Sequence, residues 1–231
     1  MKKLINVLVI ALFALSAKAQ MTYVQAGLNL ANITKTNDGQ TEKNNMLPTF
    51  NVGLMHRFGL APYAAIETGL LFTGKGSKAE TYFNGGNDNY IKTKFNPLYL
   101  EVPLNFVLKM PMDKSSGFFL NAGPYATVGI AGKAKSESKI LTITSTSEKN
   151  IKFSNDDPFT SEQDDAGYDK LKRFDFGLNF GGGFEFKHLI LKANYGMGLT
   201  KINSTQGDND TDDKNKFRTV SFSVGIPLGR K

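Results

Sequence analysis

Residues 98–109, LYLEVPLNFVLK, alternate with a period of two. Leu98, Leu100, Val102, Leu104, Phe106 and Leu108 fall on one face, and Tyr99, Glu101, Pro103, Asn105, Val107 and Lys109 on the other. A helical face recurs about every 3.6 residues, so an alternation sustained this long predicts a β-strand. Seven more segments repeat it: 23–32, 50–58, 63–74, 118–131, 173–186, 189–200 and 217–228. In each, one face is mostly Leu, Val, Ile, Phe or Ala, and the other is polar and rich in glycine. The sixth strand, for example, sets Phe174, Phe176, Leu178, Phe180, Phe184 and Phe186 against Arg173, Asp175, Gly177, Asn179, Gly181, Gly183 and Glu185.

The connections are sorted by length. Those at 33–49, 75–94, 132–172 and 201–216 are long; those at 59–62, 110–117 and 187–188 are short, and the two kinds alternate. Outer-membrane barrels have an even strand count, short periplasmic turns and longer external loops. The expected fold is therefore all-β: an eight-stranded antiparallel up-and-down transmembrane β-barrel with every long loop outside. Phe58, Tyr63, Phe118 and Phe186 at the inner strand ends, and Phe50, Phe72 and Phe174 at the outer ends, fit its aromatic girdles.

Eight strands enclose an interior that side chains just fill. Glycines crowd the polar face, where they make room for large side chains, so that face is read as the interior. It receives Arg57, Glu67, Glu101, Lys109, Asp175, Glu185 and Lys192. Charges in a narrow lumen are costly unless paired. A structural salt-bridge and hydrogen-bond network is expected, in preference to an ion path or a catalytic pair. A soluble, lipocalin-like periplasmic carrier is the second reading, and it requires the opposite polarity, apolar inside and polar outside. A barrel enzyme, disfavoured by the missing site, is the third, and a small pore or a secretion accessory the fourth.

The N-terminus adds the compartment. Lys2 and Lys3, an apolar run over 4–15 broken only by Asn6, and Ala17-Lys18-Ala19 form a signal peptide with cleavage after Ala19, leaving a barrel domain at 20–231. The run is short of the ~20 residues a spanning helix needs. The chain has no cysteine, which excludes disulfides, thiolate chemistry and a lipidated N-terminus. The formal charge of +7 falls by three when Lys2, Lys3 and Lys18 leave, and the remainder is spread along the chain. That is no signature of nucleic-acid binding.

Little else carries chemistry. The two histidines, His56 and His188, lack a zinc-site grouping and triad partners, so no metal, cofactor or enzymatic activity is expected. Asp208, Asp210 and Asp212 are spaced like the start of a calcium loop, but Asp213 replaces the required Gly and no Glu closes the pattern. The acidic stretches 155–169 and 207–213 read as solvated loops. Gly74-Lys75-Gly76-Ser77-Lys78 lacks P-loop spacing. Segment 139–144, KILTIT, alternates within the longest loop; it is expected to extend the barrel as a hairpin arm with 149–153 as partner, presenting an edge for strand addition. Partners are thus membrane lipid around a monomeric barrel, and a protein bound through loops 132–172 and 201–216.

Several stretches resemble the PorT-type outer-membrane β-barrel family: AGLNLANI at 26–33, AIETGLLFTGKG at 65–76, LYLEVPLNFVLK at 98–109, NAGPYATVGIAG at 121–132, RFDFGLNFGGGFEF at 173–186 and ANYGMGLTKI at 193–202. The resemblance spans the expected mature chain in order. It implies a small eight-stranded outer-membrane barrel and specifies no activity. The chain departs from many such barrels in ending Pro227-Leu228-Gly229-Arg230-Lys231 rather than on an aromatic residue.

Overall fold

The computed structural model describes residues 20–34, 46–83, 89–113, 115–160, 163, 169–203 and 215–229. The expected signal peptide at 1–19, and 161–162, 164–168 and 207–213 of the acidic stretches, lie outside the described residues. Among the described residues twelve strands form: β1 (Gln20–Ile33), β2 (Leu47–Ala61), β3 (Ala64–Gly74), β4 (Ser77–Tyr82), β5 (Tyr90–Pro111), β6 (Gly117–Ile140), β7 (Ile143–Asn150), β8 (Lys152–Ser154), β9 (Lys170–Lys172), β10 (Phe174–Glu185), β11 (Ile190–Gly198) and β12 (Phe217–Leu228). Among the described residues no helix is long and apolar enough to cross a membrane, which says nothing about crossing by strands.

Eight of these strands close a ring. β1, β2, β3, β5, β6, β10, β11 and β12 pair antiparallel in that order, and β12 returns to β1 through pairs from Thr22↔Leu228 to Ile33↔Phe217. Every barrel neighbour is a sequence neighbour, as an up-and-down topology requires. Closure leaves the wall without an edge, so its backbone N–H and C=O groups are satisfied inside the sheet. Hydrocarbon tolerates strands only in that form.

The wall's polarity is that of a membrane barrel. Leu28, Leu54, Leu70, Leu104, Phe106 and Phe222 are among the large apolar side chains exposed on the outside, while Gln25, Asn29, Asn51, Asn105 and Asn121 are buried inside. A soluble carrier would reverse this arrangement. In water such an apolar belt would be an aggregation surface; in lipid it is correctly solvated. The glycines of the inner face admit the lumen's rings. A Cβ on Gly225 would lie 2.8 Å from the Tyr23 ring, and one on Gly129 would overlap Phe153.

Two expected loops are largely sheet. Residues 77–82 and 90–95 pair as β4 and β5, and β6 runs on to Ile140 and folds back into β7. The β6–β7 turn falls at Leu141–Thr142, with Leu141 at φ 55°, inside the segment expected to be one arm of the hairpin. The pairing is Lys133↔Asn150 through Ile140↔Ile143, which corrects the expected pairing of 139–144 with 149–153. Because β5 also pairs with β6 as far as Tyr90↔Lys139, the four strands β4-β5-β6-β7 form one sheet rising above the barrel. A register shift marks its base: Leu98 faces Ala131 while Tyr99 faces Gly129, leaving Ile130 as the extra residue of a bulge in β6.

Candidate functional site

The lumen is built in layers, starting from the short-turn end. Arg57 on β2 and Glu67 on β3 are cross-strand partners and both fully buried. Arg57 donates through Nε (2.9 Å) and Nη2 (2.6 Å) to Glu67 Oε2, and through Nη1 to Glu185 Oε2 at 2.7 Å. Lys192 on β11 is ion-paired to the other oxygen of Glu67, and Tyr23 donates its hydroxyl to Glu67 Oε2 at 2.8 Å. The guanidinium carbon stands 4.5 Å from the Phe119 ring centroid. Two cations therefore meet two carboxylates, and the layer is neutral. Pairing of this quality is the condition for keeping charge in a low-dielectric interior.

Above it lies an uncharged layer. Gln25 Nε2 donates to Asn51 Oδ1 (3.0 Å), Asn51 Nδ2 to Asn29 Oδ1 (2.7 Å), and Asn29 Nδ2 to Thr73 Oγ1 (2.9 Å). Gln25, Asn51 and Thr73 of this layer border a cavity of about 40 Å³, space for about three water molecules.

The next layer is a second ion cluster. Lys75 Nζ sits 3.0 Å from Asp175 Oδ2 and 3.3 Å from Glu101 Oε2, above the Tyr125 ring at 4.0 Å. Asp175 also accepts from Thr200 (2.7 Å) and Tyr125 (3.1 Å), and Glu101 from Asn179 (3.3 Å). Lys75 was not among the expected lumen residues. It follows the last residue of β3, in a stretch read only as a failed P-loop, and turns inward because the barrel wall continues past that point. Lys109, expected in the network, stands half-buried at the short-turn mouth, which it lines with Glu185.

An apolar plug closes the long-loop end. β8 and β9 pair in parallel across the mouth, and Ile151 and Leu171 are buried with Tyr99, Ile202 and Phe217. Phe153 meets Tyr99 edge-on, with centroids 5.7 Å apart. Lys172, itself buried, donates to the carbonyls of Asp157 and Thr160 and so ties the 155–160 segment over the plug.

The sheet above the barrel has two unlike faces. Lys78, Lys94, Lys135 and Glu148 form one cross-strand row, and Glu80, Lys92, Glu137 and Thr146 the next. The opposite face carries Ala79, Thr93, Ser136 and Ser147 in register. On the charged face Lys133 Nζ pairs with Glu148 at 2.6 Å and holds that carboxyl below its ordinary range. Tyr82 donates to Glu80 and lowers it likewise, while donation to Glu137 pushes the Tyr90 hydroxyl up.

Neither histidine assembles a site. His56 pairs with Thr22 Oγ1 at 2.7 Å and lies against Phe58, and His188 occupies the β10–β11 turn. Among the described residues no group of three or more His, Cys, Asp or Glu is placed to hold a metal.

A family model described as "Outer membrane protein beta-barrel domain" matches residues 19–204. The chain belongs to that family. It is a protein of the bacterial outer membrane. Among curated proteins none matches. Among solved structures, Ail of Yersinia pestis is 15% identical, with 91% of this chain and 100% of that one covered at a TM-score of 0.38. Neisserial surface protein A is 10% identical, with 91% and 99% covered at 0.40. OprG of Pseudomonas aeruginosa is 14% identical, with 92% and 95% covered at 0.38. The fold itself stands on the closed ring of strand pairings.

Proposed function

We propose that this protein is a non-enzymatic structural or adhesive barrel of the PorT type, monomeric in lipid, that works through its sheet arm. Residues 1–19 are its signal peptide, removed after Ala19 to leave Gln20, the first residue of β1. The long-loop end faces the exterior, following the general sorting of loops in such barrels. The lumen residues Arg57, Glu67, Glu101, Asp175, Glu185 and Lys192, with Lys75, hold the strands together. The observation that carries the reading is the arm: β5 and β6 stay paired far beyond the bulge, and the tip leaves Ile140, Leu141 and Ile143 exposed at 63%, 72% and 74%. A projecting sheet with an apolar tip, and with β7 as its edge strand among the described residues, is a surface for contact. The two ion clusters and the plug favour this reading over a pore.

The test replaces residues 134–149 by Asn-Gly, since Lys133 and Asn150 already face each other across the hairpin. The variant barrel is expected in the outer-membrane fraction with its mobility shift on boiling, and its cells lose adherence. Unchanged adherence sinks the arm as working surface. Stepwise conductance of the intact protein in planar bilayers makes the pore the better reading.

A further inference from the structure

The arm's lysines are placed by the barrel wall. On β5, even-numbered residues point outward: Leu98, Leu100 and Val102 line the lipid side, and Asn96, Lys94 and Lys92 continue the same side above them. On β6 the bulge at Ile130 shifts the parity, so Lys133 and Lys135, not their neighbours, share that outward face. Lys94 lies four residues beyond Leu98, the last apolar outward residue of β5. At ~3.4 Å per residue and a tilt of ~35–45°, it stands roughly 10 Å above the hydrocarbon edge, at headgroup height.

The carboxylates of this face are committed elsewhere. Glu148 holds Lys133, Glu80 holds Lys78 and Tyr82, and Glu137 accepts from Tyr90. Lys92 lies over the Tyr90 ring at 4.4 Å. Lys94 and Lys135 remain, exposed and directly opposite each other; neither makes a close ion pair among the described residues, and Glu148, which stands across from Lys135 and feels its charge, is engaged by Lys133. Like charges directly opposite on adjacent strands destabilise a sheet. A shared anion between them removes that repulsion.

We propose that the Lys94–Lys135 pair, flanked by Lys78 and Lys133, clasps phosphate groups of anionic lipid in the outer leaflet and so anchors the arm to the membrane surface. The occupant follows from the continuity of this face with the lipid-facing band and from its charge. Long lysine stems reach down along the wall while their ammonium groups meet the phosphates. The inference rests on the external placement of the long-loop end.

Two measurements separate the inference from that placement. The chain has no cysteine, so a Ser145→Cys variant on intact cells reports which side the arm occupies. Labelling by a membrane-impermeant maleimide is expected; failure to label overturns the external placement and the inference with it. For the inference itself, the full-length mature barrel is reconstituted in neutral phosphatidylcholine vesicles with and without a bis-phosphorylated glycolipid. Its unfolding midpoint is followed by loss of the gel shift. The glycolipid is expected to raise the midpoint by about 3 °C, and high salt or Lys94→Gln/Lys135→Gln abolishes the rise. A rise that survives the double substitution overturns the proposal. An equal rise from inorganic phosphate added to neutral vesicles also overturns it, since the pair would then be an anion site indifferent to the membrane.

Discussion

Strands β5 and β6 build both the barrel wall and the arm, and the two halves treat charge in opposite ways. Below the bulge, Glu101 and Thr127 face each other inward, buried, while Leu100 and Val128 face lipid. Above it, Lys94 and Lys135 face each other outward and Phe95 and Ala134 turn in, against the plug. The backbone is one continuous ladder; what changes is the medium outside it. Where hydrocarbon surrounds the wall, charge is driven inside and must be paired. Where water and headgroups surround it, charge moves out and the pairs are exposed to solvent, as Lys133–Glu148 is. The same carboxylate–ammonium contact therefore carries very different weight in the two regions.

Four substitutions or conditions test that contrast, beginning with the largest effect. Glu67→Ala strands Lys192 in the lumen and leaves Arg57 only Glu185, and breaking a buried pair costs about 3–5 kcal/mol; urea titration of the gel shift is expected to show a loss of that order or a failure to assemble. Glu101→Ala removes one of two partners of Lys75 and leaves Asp175 in place. The expected cost is about 1–3 kcal/mol, with conductance in planar bilayers unchanged; a large conductance increase would contradict the structural role of the cluster. In the arm, Glu148→Gln breaks the exposed pair with Lys133, and the urea midpoint is expected not to move. The most local effect belongs to the short β5–β6 turn. Asp113 there accepts from the backbone N–H groups of Ser115 and Ser116 at 2.7 Å each and from the Ser116 hydroxyl at 2.6 Å, and its carboxyl is lowered to about 2. A lowered folded pKa means the turn's stabilisation is complete above the unfolded value, 3.8, and is lost as pH falls through about 2. Amide exchange at Ser115 and Ser116 is expected to accelerate in that window only.

The barrel was legible because a period of two is visible in any strand with unlike surroundings on its two faces. LYLEVPLNFVLK at 98–109 and RFDFGLNFGGGFEF at 173–186 each assign an inside and an outside residue by residue. The arm was not legible. Strands β4 and β7 have water on both sides, so SKAETY and ITSTSEKN carry no apolar alternation to mark them. KILTIT does alternate, yet the turn falls within it, because the register set by β5 and the bulge places Ile140 opposite Ile143.

Sequence alone thus determined the number of barrel strands, their order, the polarity of the wall and most charges of its inner face, Lys75 excepted. All of these follow from local alternation and from the length of the connections, which need no knowledge of distant contacts. Only the tertiary structure decided which charges meet. Lys75 lies in a segment without alternation and reaches Asp175, a hundred residues away, through ring closure. The bulge at Ile130 turned Lys133 and Lys135 outward, where unbroken alternation from Gly129 would have turned them in. A single extra residue reverses every side chain beyond it, and nothing local in the sequence marks where that residue will be accommodated.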